Sequence, residues 1–160
     1  MQTFLPYPDF AASARVLDRQ RLGKQRLEAL HLLHILRGVR EPRGWGNHPA
    51  LRMWRGHENA LARYGIAICR EWRRRGYVDN QLPRFEALID RKRSFRRPAW
   101  MGDAAFHASH RSNLLRKDPE WYGRFGWGEG PDLPYVWPVK GLKESRRSRK
   151  IPRRKSRSTT

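Results

Sequence analysis

The chain has 160 residues, 38% of them apolar, and its 35 Lys and Arg against 15 Asp and Glu leave a formal charge of +20. That length fits one domain with a tail and excludes two of ordinary size, and so positive a chain calls for a polyanion, nucleic acid above all. One cysteine, Cys69, excludes a disulfide framework and a multi-cysteine zinc site and fits a reducing compartment, while no apolar run nears the roughly 18 residues of a membrane span. The expectation is a cytoplasmic, nucleoid-associated protein.

Residues 1–10 are apolar and broken by Pro6 and Pro8, which predicts an extended segment packed on the fold. A first helix runs from near Asp9 or Asp18 to Leu36 and stops at Gly38. Leu22, Ala29, Leu33 and Leu36 recur at helical spacing and form its buried face. A second helix starts at Pro49, a favoured first helical position, and reaches about Arg75, with Gly76 as its stop. Its face is Trp54, Leu61, Gly65, Ile68 and Trp72, with Cys69 beside it as a small buried hydrophobe. A short helical piece spans 82–90, and a third main helix fits from about Gly102 to Lys117, closed by Asp118-Pro119. No stretch alternates as a strand, and no phosphate-binding loop or dinucleotide glycine signature occurs. The fold class is therefore all-α: one compact domain of three main helices over residues 1–138, with an extended N-terminal segment. Residues 139–160 form a disordered basic tail. From 140 onward the tail carries ten Lys or Arg and one acid, Glu144, with almost nothing apolar to bury. It serves either solubility and targeting or phosphate binding.

At about 100° per residue, Arg21, Lys24, Glu28 and His31 share one side of the first helix, away from Leu33. The bland reading is a solvated face with an i,i+4 Lys24–Glu28 pair. The sharper one starts from the lone acid among cations. A carboxylate weakens phosphate contact, so an acid kept on a nucleic-acid surface has another use, such as proton transfer or stabilising a cationic sugar. On the third helix His107, His110, Arg111 and Leu114 share a face, followed by Arg116 and Lys117. The two histidines are phosphate contacts, a metal pair or plain surface residues. Trp121, Tyr122, Phe125 and Trp127, interleaved with Arg and Gly, either stack on bases or close a small core. His48 and His57 receive no assigned role in the chemistry: His48, before Pro49 at a helix start, reads as a local cap or turn residue, and His57 beside Glu58 could equally face DNA.

Three blocks in this order resemble the pyrimidine-dimer DNA glycosylase family, the endonuclease V-like enzymes. The first is Asp18-Arg19-Gln20-Arg21-Leu22-Gly23-Lys24-Gln25-Arg26-Leu27-Glu28; the second runs from Trp54-Arg55-Gly56-His57-Glu58 to Arg75-Gly76-Tyr77; the third is the Ser/Arg-containing helix followed by Pro119-Glu120-Trp121-Tyr122-Gly123. The likeness covers about residues 1–128. It implies a bifunctional DNA glycosylase and AP lyase, without metal or organic cofactor, acting as a monomer on double-stranded DNA. The α-amine attacks the sugar C1′ and expels the base, the resulting Schiff base undergoes β-elimination, and Glu28 stabilises the sugar cation. Arg21, Arg26, His31, His107, His110, Arg111, Lys117, Trp121 and Tyr122 are the implied DNA contacts.

An α-amine suits this chemistry because it titrates near ~7.7–8.0 rather than ~10.4 as lysines do, so its neutral fraction near pH 7 is on the order of 400-fold larger. The family's phage member has a threonine directly after its initiator methionine. Here Gln2 follows Met1 and Thr3 comes one step later, so the nucleophile is the amine of Met1 itself, with Lys24 as the alternative amine one turn from Glu28. Two other functions fit the same scaffold. One is a glycosylase or lyase for another base lesion or for abasic sites; the other is a non-catalytic nucleic-acid-binding protein.

Overall fold

The computed structural model describes residues 1–138, and the tail expected over 139–160 lies outside them. Among the described residues the chain is all-α, in the order α1 (Phe10–Val16), α2 (Arg19–Leu36), α3 (Pro49–Trp54), α4 (Glu58–Arg74), α5 (Leu82–Ala87), α6 (Ala104–Lys117) and α7 (Pro119–Gly123). The long helices α2, α4 and α6 are the three main helices predicted from periodicity.

Short side chains decide where these helices begin. Asp9, Asp18, Asp103 and Asp118 each accept a hydrogen bond from the backbone N–H three residues on, and so satisfy a group that the first helical turn leaves free. Both candidate starts of the first helix are used, because Leu17 takes an extended conformation and separates α1 from α2. The single second helix expected from Pro49 to Arg75 is two. Arg55 turns extended and Gly56 sits at φ 85°, a left-handed conformation that glycine adopts without a Cβ penalty. Asp118-Pro119 both ends α6 and starts α7.

Helix α4 is the hub, packing against α1, α2, α3 and α5. Its approach to α5 is close enough that a Cβ on Gly65 would stand 2.1 Å from a ring carbon of Phe85, so only glycine fits there. Around it Trp54, Tyr64, Trp100 and Phe106 form the aromatic centre, with Trp54 and Trp100 edge-to-face at 5.0 Å and Trp100 and Phe106 at 4.9 Å. Burial of each such ring contributes about 1.5–3 kcal/mol. Cys69 is fully buried as expected, and burial together with the nearby Asp79 carboxylate pushes its thiol up to about 12. No helix among the described residues is long and apolar enough to cross a membrane.

Candidate active site

Residues 2–6 are buried, belong to no helix and have no sheet to pair with, so their peptide groups need side-chain partners. Every long helix supplies some. Gln25 of α2 accepts from the Phe4 N–H at 3.0 Å and donates to the Gln2 carbonyl at 2.6 Å. The Tyr64 hydroxyl of α4 lies 2.9 Å from the Phe4 carbonyl, and Trp54 Nε1 donates to Thr3 Oγ1 at 2.9 Å. Helix α6 grips Leu5 from both sides: its N–H donates to His110 Nδ1 at 2.9 Å, and its carbonyl accepts from His107 Nδ1 at 2.8 Å. Arg111 Nη1 donates to the Pro6 carbonyl at 2.8 Å.

This segment delivers Met1 to a cleft of about 610 Å³. Helix α2 contributes Arg21, Lys24 and Glu28 to the lining, and His48, Lys117, Tyr135 and Trp137 complete it. Glu28 Oε2 accepts from Gln25 Nε2 at 3.3 Å and from the Gln2 N–H at 3.5 Å, so the carboxylate is tied to the peptide that follows the Met1 amine. The i,i+4 pair between Lys24 and Glu28 does not form among the described residues; Lys24 is exposed at the cleft.

His48 caps α3. Its Nδ1 accepts from the Ala50 N–H at 3.1 Å, which leaves the neutral ring's proton on Nε2. Burial, and after it the positive charge of the N-terminus, hold the ring below its ordinary value of 6.5, so it stays neutral at pH 7. A neutral imidazole adds no second cation beside the amine.

Several expected DNA contacts have other partners. His107 and His110 are 2% and 0% exposed, and phosphate contact gives way to their hold on Leu5. A Gly102 N–H bond to His107 Nε2 completes that ring's neutral form, and burial drives His110 down to about 3. Tyr122 is fully buried, stacked on Trp127 at 5.7 Å with its hydroxyl on Asp18, so it belongs to the core. Arg26 pairs at 2.6 Å with Asp79, whose side chain is fully buried, and lies over Trp72. Arg111 pairs with Glu129, and His31 accepts from Arg40 at 2.9 Å instead of reaching the cleft. Trp121 is half-buried, bonded through Nε1 to the Val16 carbonyl at 2.8 Å and covered by the Arg124 guanidinium at 4.0 Å. Arg21 is half-buried and paired with Asp18 at 3.1 Å, while Lys117 is exposed; both line the cleft.

Sequence reasoning missed Gln25, Tyr135 and Trp137, and it offered His48 as a local cap, which it is, without placing it at the cleft. His48 had a signal in its place before a helix-starting proline. Gln25 had none, since its partners are the backbone of a distant segment. A family model described as pyrimidine dimer DNA glycosylase matches residues 1–84, just over half of the 160-residue chain. No curated protein and no solved structure matches it.

Proposed function

We propose that this chain, which belongs to the pyrimidine dimer DNA glycosylase family, breaks the glycosidic bond of a damaged pyrimidine in double-stranded DNA and then cleaves the strand at the abasic sugar it has made. The observation that supports this reading is the cleft itself, where Met1, Lys24 and Glu28 meet and Glu28 is bonded to the peptide next to the amine.

In the proposed sequence the neutral α-amine of Met1 attacks C1′ of the damaged nucleotide, and the C1′–N bond breaks with its electron pair leaving on the base. Glu28 stabilises the positive charge that develops on the sugar. Loss of the ring-oxygen bond gives a Schiff base between the amine and C1′; removal of a C2′ proton then expels the 3′ phosphate by β-elimination, and water releases the sugar. Arg21, Lys24 and Lys117 around the cleft hold the flanking phosphates. The protein works as a monomer on the nucleoid in the cytoplasm, and the chemistry uses no organic cofactor.

The test is incubation with a duplex carrying one cyclobutane thymine dimer, with and without borohydride, followed by peptide mapping. A trapped adduct on Met1 is expected, and an N-terminal extension that cannot be cleaved abolishes it. An adduct on Lys24 keeps the reaction and moves the nucleophile. Binding without nick or adduct points to another lesion if an abasic-site duplex run alongside is still cleaved, and to a DNA-binding protein on the same scaffold if it is not.

A further inference from the structure

His48 brings to the cleft a polar atom that its capping bond does not use. Its Nδ1 is engaged by the Ala50 N–H at 3.1 Å, so the neutral ring carries its proton on Nε2. That Nε2–H has no hydrogen-bond partner among the described residues, and the ring lines the cleft together with Met1 and Glu28. It stands close enough to the N-terminus for that charge to act on it.

The ring's direction is fixed from several sides. The His48 backbone N–H donates to the Trp45 carbonyl at 2.9 Å, which anchors the turn before α3. The Trp45 indole lies 5.1 Å from the imidazole, and Trp137 meets it edge-to-face at 6.3 Å and 89°. Trp137 belongs to the segment 129–138, which α6 ties down with buried side chains. Ser112 Oγ donates to the Gly130 carbonyl and accepts from the Leu133 N–H at 2.9 Å. Asn113 Nδ2 donates to the Leu133 carbonyl at 3.0 Å, and Ser109 Oγ accepts from the Val136 N–H at 3.1 Å. A donor held in place beforehand needs no reorganisation when charge develops in front of it.

Glu28 suits the positive sugar, and Arg21, Lys24 and Lys117 suit phosphate. The remaining charge of a reaction at C1′ is negative and falls on the departing pyrimidine. In a cyclobutane dimer C5 and C6 are saturated, so charge left on N1 spreads to the C2 carbonyl oxygen and not through C5=C6 to O4. That makes a poor leaving group, and a donor at O2 is what it lacks. O2 stands beside the glycosidic bond and faces the minor groove, within reach while the base remains in the duplex.

We propose that His48 is the leaving-group donor of this cleft: its Nε2–H bonds to the C2 carbonyl oxygen of the dimer's pyrimidine as the C1′–N1 bond breaks. The electron pair of that bond leaves on N1 and O2 while the Met1 amine forms its bond to C1′. The proton that the attached amine then sheds goes to the base, and His48 keeps its own. The base stays joined to its neighbour through the cyclobutane ring. The inference rests on the glycosylase reading and adds the group that receives the departing charge.

Two variants separate this role from the cap. The amide of His48→Asn takes the place of Nδ1, keeps an acceptor for the Ala50 N–H and ends short of Nε2; asparagine is a favoured cap. His48→Gln does the reverse, with an N–H near the Nε2 position and the cap lost. Each is compared with the unchanged chain on a thymine-dimer duplex, timing glycosidic-bond cleavage under single turnover, and on a duplex with a preformed aldehydic abasic site, timing strand cleavage. His48→Asn is expected to slow the first roughly 10²–10³-fold, the scale of losing one donor to a developing charge. It leaves the second within about 3-fold, because no base departs there, and His48→Gln recovers most of the dimer rate. An unchanged dimer rate in His48→Asn overturns the proposal. So does a parallel loss on both duplexes, or His48→Gln falling below His48→Asn, since either marks a structural role. If the unchanged chain leaves the dimer's glycosidic bond intact, the reading on which this role rests falls, and the role falls with it.

Discussion

Glu28 has two ties, one to Gln25 and one to the Gln2 N–H, and both need only an acceptor oxygen. Glu28→Gln preserves an acceptor and the side chain's shape while removing the negative charge. The fold and the cleft are therefore expected to persist. Glycosidic-bond cleavage is expected to fall by about 10²–10³-fold, the usual scale for removing one electrostatic stabiliser of the transition state. DNA affinity should hold or tighten, because a repulsive charge beside the phosphates is gone. Single-turnover cleavage and a Kd in the same buffer check both halves, and cleavage at an unchanged rate removes Glu28 from the chemistry. Glu28 was legible in the sequence as an acid stranded among cations. Gln25, one residue from Lys24, was not, since nothing in its spacing distinguishes a solvated glutamine from one that carries Phe4, Gln2 and Glu28 at once.

On α6 the same limit acts over a whole helix face. His107, His110, Arg111 and Leu114 do share a side, as their spacing predicts, but that side turns inward because an extended segment without a sheet needs both donors and acceptors. Neutral imidazole offers one of each. The arrangement makes stability depend on pH. His110 titrates near 3 in the folded chain, and His107 is also held below 6.5, by burial first and by Arg111 and Arg97 as well, against the opposing Leu5 bond. Below about pH 6.5 the unfolded chain binds protons that the folded chain refuses, so stability falls as pH drops from 6.5 toward 3. Each ring that stays neutral costs roughly 1.4 kcal/mol per pH unit in that window. Thermal melts between pH 7.5 and pH 5 are expected to show a falling Tm, and His107→Asn, which keeps a donor for the Leu5 carbonyl, to flatten the fall; an unchanged slope in that variant would exonerate His107. The main helices and the two candidate starts at Asp9 and Asp18 were plain in the sequence, whereas Asp118-Pro119 read only as the end of α6 and not as the start of α7. The break at Gly56 was not plain either, because Trp54, Leu61, Gly65 and Ile68 keep one buried face across it and apolar period alone reads straight through.

Across the whole molecule the charge divides almost evenly, with +11 on residues 1–139 and +9 on residues 140–160. The described part must then engage DNA without the tail, and the cleft's chemistry lies wholly within residues 1–137. Ending the chain after Pro138 is expected to weaken DNA binding and to flatten its salt dependence, by up to about 0.9 in log–log slope for each phosphate that the shortened chain no longer neutralises. Glycosidic-bond cleavage at saturating protein should stay within about 3-fold. Titrations at several salt concentrations measure the first, and single-turnover rates the second; an unchanged slope would show that the tail leaves the phosphates alone. The order of the three sequence blocks made this architecture legible as a whole. The wall at Tyr135 and Trp137 escaped notice because it lies past the last of those blocks, where its ties to α6 run through backbone groups.

Leu5 waits for His110. The two are 105 residues apart in the chain, and the hydrogen bond between them closes only once α6 exists. At about 5–20 residues per second of synthesis, roughly 5–20 s separate the two on the ribosome. Through that interval Leu5 and the Pro6 carbonyl lack their partners on α6, though Gln25, Trp54 and Tyr64 can already hold residues 2–4, and the cleft around Met1 and Glu28 lacks Lys117, Tyr135 and Trp137. On the proposed mechanism the Met1 amine is thereby armed only once α6 and the segment after it are in place, and a chain that stalls before α6 carries Met1, Glu28 and Lys24 without Lys117, Tyr135 and Trp137 beside them.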